Sequence, residues 1–171
     1  RVNAIQNGEA IFSCSISFQK REKGLKHQIK MPKIQGPEKL KSDLELRKDL
    51  KSKIPKDYLP MWLREREIET RQVEPVDLLK AEKLPPYRST WMKPTGKLPS
   101  DERIHQALLL YVSDMGLLGA AVNPHEVNFM SKKFQSASLD HVMWFHGKVN
   151  FNNWVLHHMH SPISQNARGF S

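Results

Sequence analysis

The chain has 171 residues, 39% of them hydrophobic, with 27 Lys or Arg against 18 Asp or Glu and a formal net charge of +9. That length and composition suit one domain or two small ones with a packed core, and exclude a disordered or fibrous polypeptide. A single cysteine, Cys14, excludes an internal disulfide and suits a reducing compartment. No run approaches the ~18 apolar residues of a membrane span and no signal peptide opens the chain, so a soluble, intracellular protein is expected.

In chain order, Val2 to Gln6 and Glu9 to Phe18 flank Asn7-Gly8, a strong hairpin signal because both turn residues tolerate positive φ. Phe12, Cys14, Ile16 and Phe18 alternate with serines, which predicts one apolar and one polar face. Between Lys20 and Lys56 stand 13 Lys or Arg against 5 Asp or Glu and no aromatic residue. A nucleic-acid module interleaves aromatics or a recognised motif with such charge, so a solvated linker face is the better reading and no nucleic-acid partner is expected. Pro37 suits the first turn of a helix with a thin stripe at Leu40, Leu44 and Leu50 before Pro55 stops it. Prolines recur to Pro99, with strands predicted at Glu67 to Val76 and Ser89 to Lys93 and a turn at Pro94 to Gly96. Ser100 before Asp101 and Glu102 reads as a helix start.

The stretch from Ile104 to His146 organises the rest. Ala107 to Val122 is apolar almost all round, which predicts a helix covered on every side. Asp114 lies within it, and a carboxyl group buried there is a candidate general base; a helix ending at Ser113, with Asp114 in solvent, is the alternative. Ser136 to His146 reads as a strand well inside a sheet, with Ser138 and Asp140 on one face and His141 on the other. One such strand does not assemble a Ser-His-Asp triad, but it presents the Ser138 hydroxyl toward the helix and Asp114. A turn through Asn150 to Asn153 leads to a further strand, Trp154 to Ser161. A helix with successive antiparallel strands describes an α+β fold in which a sheet wraps a helix.

Tyr111-Val-Ser-Asp114, Leu117 to Ala121, Pro124-His125, Ser138-Leu-Asp-His-Val-Met-Trp-Phe-His146, Trp154 and Ala167-Arg-Gly-Phe170 closely resemble the type II acyl-CoA thioesterases, bacterial enzymes and the peroxisomal enzymes of animals and fungi. The first 19 residues and the later Lys26 to Pro32 resemble the end of that family's first repeat. The resemblance implies a double hot-dog fold with both repeats incomplete: residues 1–65 hold the C-terminal part of the first repeat plus the basic linker, and 66–171 the second repeat without its final strands. It implies hydrolysis of fatty acyl-CoA to a free fatty acid and coenzyme A; a third reading of the basic stretch is then that some of its lysines attract the coenzyme's phosphates. Asp114 and Ser138 match two of the three groups that hold the attacking water in the family; the third, a Gln in a Gln-Glu-Gly motif, has no match before Ser171. Gly147-Lys-Val149 departs from the family's usual Arg-Pro-Phe. No cofactor or metal is implied, the partner is the acyl-CoA substrate, a homo-oligomer is expected of the complete protein, and the peroxisomal matrix is the expected location, with the cytoplasm as alternative.

Two other functions compete. A hot-dog hydratase or dehydratase pairs an acidic residue with a His near the central helix, and His105 and His125 stand at its two ends. An inactive paralogue acting as an interaction module is the other. Among the histidines, His158 and His160 share a strand face with no carboxylate or cysteine at ligand spacing, which favours ordinary packing over metal.

Overall fold

A computed structural model describes residues 1–77, 79–127 and 134–171. It divides into two compact units, residues 1–33 and 34–171. The sequence reading puts the repeat boundary at 65/66; compactness and repeat ancestry are different properties and need not coincide.

The first unit is a hairpin of β1 (Val2–Gln6) and β2 (Glu9–Cys14), paired antiparallel from Val2↔Cys14 to Gln6↔Glu9 with a bulge at Ala4/Ile5. Asn7 and Gly8 have φ of 52° and 84°, the left-handed turn that the Asn-Gly pair predicts. Strand geometry stops at Cys14, short of the Phe18 expected, and Ile11, Phe12, Ile16 and Phe18 are all exposed.

The second unit begins with a 3-10 turn at Pro37–Lys39, then α1 (Asp43–Asp49) and α2 (Leu59–Trp62). Helix α1 starts on a capping box: Ser42 Oγ accepts from Glu45 N and Glu45 Oε2 accepts from Ser42 N at 2.7 Å. Arg47 Nη1 donates to Trp62 O at 2.6 Å while Trp62 Nε1 donates to Arg47 O at 2.9 Å, which ties α1 to α2. Asp43 accepts from Thr70 and Gln72, so this basic stretch is fastened to a strand and is not only a solvated linker.

Strands β3 (Ile68–Gln72), β4 (Tyr87–Pro94) and β5 (Val155–His160) form an antiparallel sheet in the order β3-β4-β5. Gln72 faces Thr90, which faces His157; Thr70 faces Met92, which faces Val155. Side chains alternate along each strand, so Met92, Thr90, Val155, His157 and Met159 share the inner face. Against it lie α3 (Glu102–Ser113) and α4 (Leu117–Val122). Ile68, Met92, Val112 and Phe151 are the core, joined by Leu108, Leu109, Met115 and Val155. Helix α4 packs on β4, β5 and a small hairpin of β6 (Ile163–Gln165) and β7 (Arg168–Phe170).

Three expectations are corrected here. The apolar stretch from Ala107 to Val122 is two helices, because Gly116 at φ 92° ends one and begins the next, and Ile104, Leu110, Tyr111 and Leu118 are exposed. Glu102–His125 taken together is long and apolar enough to cross a membrane by length and composition, contrary to the sequence reading; it is nevertheless broken in the middle and packs on the sheet. Finally, 136–146 is not a strand: alternation defines two faces but supplies no neighbour, no strand pairs with this segment among the described residues, and Leu139, Val142 and Trp144 are exposed.

Candidate functional site

Helix α3 begins at the N-cap Asp101, one residue beyond the Ser100 expected. Its carboxylate accepts from Arg103 N and from the Arg103 guanidinium, and these hydrogen bonds bring its pKa down to about 2. The helix ends at the C-cap Asp114, whose backbone N–H bonds Val112 O. Asp114 is therefore not buried as the sequence suggested; its side chain is 52% exposed. The early helix end, set by Gly116, is the reason.

Ser138 Oγ donates to Asp114 at 2.9 Å from Oδ1 and 3.1 Å from Oδ2. Because the segment is not a strand, His141 is not turned away. Its Nδ1 lies 3.7 Å from Asp114 Oδ1 and its Nε2 2.9 Å from Ser113 Oγ. The single Ser113 hydroxyl proton is directed at Leu110 O, 2.7 Å away, so Ser113 accepts from His141 Nε2–H. That leaves Nδ1 toward the carboxylate, and the two form an ion pair only when the ring carries both protons. Ser138–Asp114 and His141–Ser113 are thus two hydrogen-bonded pairs whose nearest approach is the 3.7 Å between His141 Nδ1 and Asp114 Oδ1, a cluster in which His141 and Ser113 were unassigned by sequence reasoning.

Ser113 also lines a pocket of about 220 Å³, whose wall is otherwise apolar (Met92, Leu109, Met143, Phe151) apart from His157. His157 points inward with Val155 and Met159, and its pKa is lowered by burial first and then by the neighbouring His141 and His158. The alternating Val-x-His-x-Met of β5 is the sequence signal for an inward histidine; His158 sits on the outer face with its Nδ1 3.0 Å from Ser89 Oγ.

His105, the acid/base candidate of the hydratase reading, is a buried structural group. Its Nε2 donates to Pro99 O at 2.9 Å and its Nδ1 accepts from Phe151 N at 3.1 Å, so both ring nitrogens are committed. Among the described residues no three His, Cys, Asp or Glu side chains converge as a metal site.

Asp114 and Ser138 thus meet at the end of α3, and the neighbouring Ser113 lines the apolar pocket. The family model for acyl-CoA thioesterase matches residues 62–171, and the chain belongs to that family. It is 33% identical over 170 residues to acyl-CoA thioesterase 2 of Haemophilus influenzae, covering 99% of this chain and 59% of the relative. It is 35% identical over 180 residues to acyl-coenzyme A thioesterase 8 of Mus musculus, covering 98% and 54%. The crystal structure of an acyl-CoA thioesterase II from Mycobacterium marinum matches with a TM-score of 0.72 at 30% identity, over 98% of this chain and 57% of that one. The fold is accordingly α+β of the hot-dog type, and the chain spans between half and two thirds of the length of these relatives.

Proposed function

We propose that the protein containing this chain hydrolyses fatty acyl-CoA to a fatty acid and coenzyme A, and that Asp114 and Ser138 hold the attacking water. The observation that carries the reading is the Ser138 hydroxyl on both oxygens of Asp114, next to an apolar pocket in a chain of this family. A water entering between them gives its proton to the carboxylate as its oxygen attacks the thioester carbonyl, while the hydroxyl fixes its direction; the thiolate of coenzyme A leaves and no acyl-enzyme forms. The partial exposure of Asp114 gives that water access. Resemblance to the peroxisomal enzymes of animals supports a peroxisomal location.

The test is a thiol-release assay on saturating acyl-CoA. Asp114→Asn keeps an acceptor for the hydroxyl but removes the base, so kcat should fall by roughly 10²–10⁴-fold with little change in KM. Unchanged turnover would remove Asp114 from the mechanism.

A further inference from the structure

A general base has to pass on the proton it takes before it can act again. Beside Asp114 stands His141, with Nδ1 3.7 Å from Oδ1 and the ring anchored at its other nitrogen. Nε2 is 2.9 Å from Ser113 Oγ, and the Ser113 hydroxyl proton is committed to Leu110 O at 2.7 Å, so Nε2 supplies the hydrogen. The neutral ring therefore turns a lone pair toward the carboxylate. In a nucleophile triad the carboxylate instead accepts from a ring N–H. Two facing acceptors do not attract each other, and 3.7 Å is too long for a hydrogen bond. A proton between them makes the contact attractive, and one arrives when Asp114 takes it from water. The pair is thus better matched to the state after proton transfer than to the resting one.

We propose that His141 is a positioning residue for this hydrolysis, acting through Asp114 by receiving at Nδ1 the proton that Asp114 takes from water. The proposal rests on the thioesterase reading of Asp114 and Ser138. One water O–H bond breaks as its oxygen bonds the carbonyl carbon, and that proton goes to Asp114 Oδ1. The C–S electron pair leaves with sulfur, and the water's second proton stays on the product carboxyl group. The proton on Oδ1 crosses to Nδ1, a transfer favoured because imidazole is in general a stronger base than a carboxylate. Ser138 keeps its bond to Oδ2 meanwhile, at 3.1 Å. The His141 side chain is 27% exposed, so the proton can leave for bulk water and both groups return to their starting state. Burial, more than the neighbouring His141 and His158, keeps His157 on its neutral side, so the transient imidazolium meets no fixed positive charge there.

The experiment uses the full-length protein, saturating acyl-CoA and a thiol-release assay on wild type, Asp114→Asn and His141→Ala, each with and without added free imidazole. In His141→Ala kcat should fall by roughly ten- to hundredfold at little change in KM, less than the loss at Asp114. Imidazole should restore most of that loss, saturating with concentration, and should do nothing for Asp114→Asn. On the wild type, nitrogen NMR of labelled histidine, with His141 assigned by its absence from the His141→Ala spectrum, should show the Nε2–H tautomer once the ring is neutral. An Nδ1–H tautomer overturns the proposal even if His141→Ala does not fold. Undiminished kcat in His141→Ala overturns it too, as does a loss that imidazole leaves unchanged, which would mark a packing role. A wild type inactive on every acyl-CoA refutes the thioesterase reading and this proposal with it, whereas an active wild type with an equally active His141→Ala refutes the proposal alone.

Discussion

Gly119, in α4, lies directly under the Arg88 side chain of β4. A Cβ built there would fall inside contact distance of Arg88 Nη1 and stand 2.9 Å from Cδ and 3.0 Å from Cζ. For Gly119→Ala to be accommodated, the whole guanidinium has to move. Arg88 is not free to do so, since its Nη2 donates to Gln72 Oε1 at 2.6 Å and its burial, which lowers its pKa, limits its access to water. Losing a hydrogen bond made by a charged group costs about 1.5–3 kcal/mol. Against that, alanine is better than glycine in a helix by about 1 kcal/mol. The net expectation is a destabilisation of about 0.5–2 kcal/mol, a fall in Tm of roughly 1–8 °C for a chain of this size. Urea unfolding should show a lower midpoint at unchanged slope. In an Arg88→Ala background the obstacle is gone, and the same substitution should become stabilising by about 1 kcal/mol. A Gly119→Ala protein at least as stable as wild type, or a substitution of the same sign in both backgrounds, would refute this account of the α4–β4 contact.

Ser138→Thr should retain substantial thiol release if the hydroxyl orients water; an acyl adduct found on the residue 138 peptide of the wild type after rapid quench would establish nucleophilic attack instead. Asn166 and Ala167 form the β6–β7 turn at φ 52° and 57°, and alanine is strained there, so Ala167→Gly should raise stability by about 0.5–1 kcal/mol, read as a higher urea midpoint; a lower one contradicts the turn geometry. His157, with His141 and His158 as its titratable neighbours, has a folded pKa below its ordinary 6.5. The unfolded chain then binds a proton that the folded one refuses, so stability should fall as pH drops below about 6.5. Denaturant titrations from pH 8 to 5 should show a flatter profile for His157→Leu; an identical profile refutes the contribution.

What was legible in the sequence was local chemistry. Asn7-Gly8 defined its hairpin because few residue pairs tolerate that turn, and β3 and β4 lie where β-branched and aromatic residues stand between prolines. The start of α3 was missed by one residue because Ser100 and Asp101 are both good caps, and the side-chain fork of Arg103 decides between them. The burial of Asp114 was misjudged because an apolar run fixes neither where a helix ends nor which side is covered; one left-handed glycine settled the first. The 136–146 segment shows a different limit. Its alternation is that of a strand, but a strand exists only with a partner, and pairing is a property of the whole chain. The same departure from strand geometry brought His141 to Asp114, a juxtaposition that no spacing rule contains.

The register of the central sheet has a consequence for the order in which the molecule assembles. Pairing β3 with β4 closes a loop of roughly 20 residues, whereas pairing β4 with β5 closes one of roughly 60, at an extra entropic cost of about 1 kcal/mol. Strand β5 is therefore expected to join late, on a β3–β4 hairpin already formed. It carries Val155 and His157, so the pocket is completed only at that step. Substitutions in β5 should chiefly accelerate unfolding, while those in the β3–β4 pair should slow refolding.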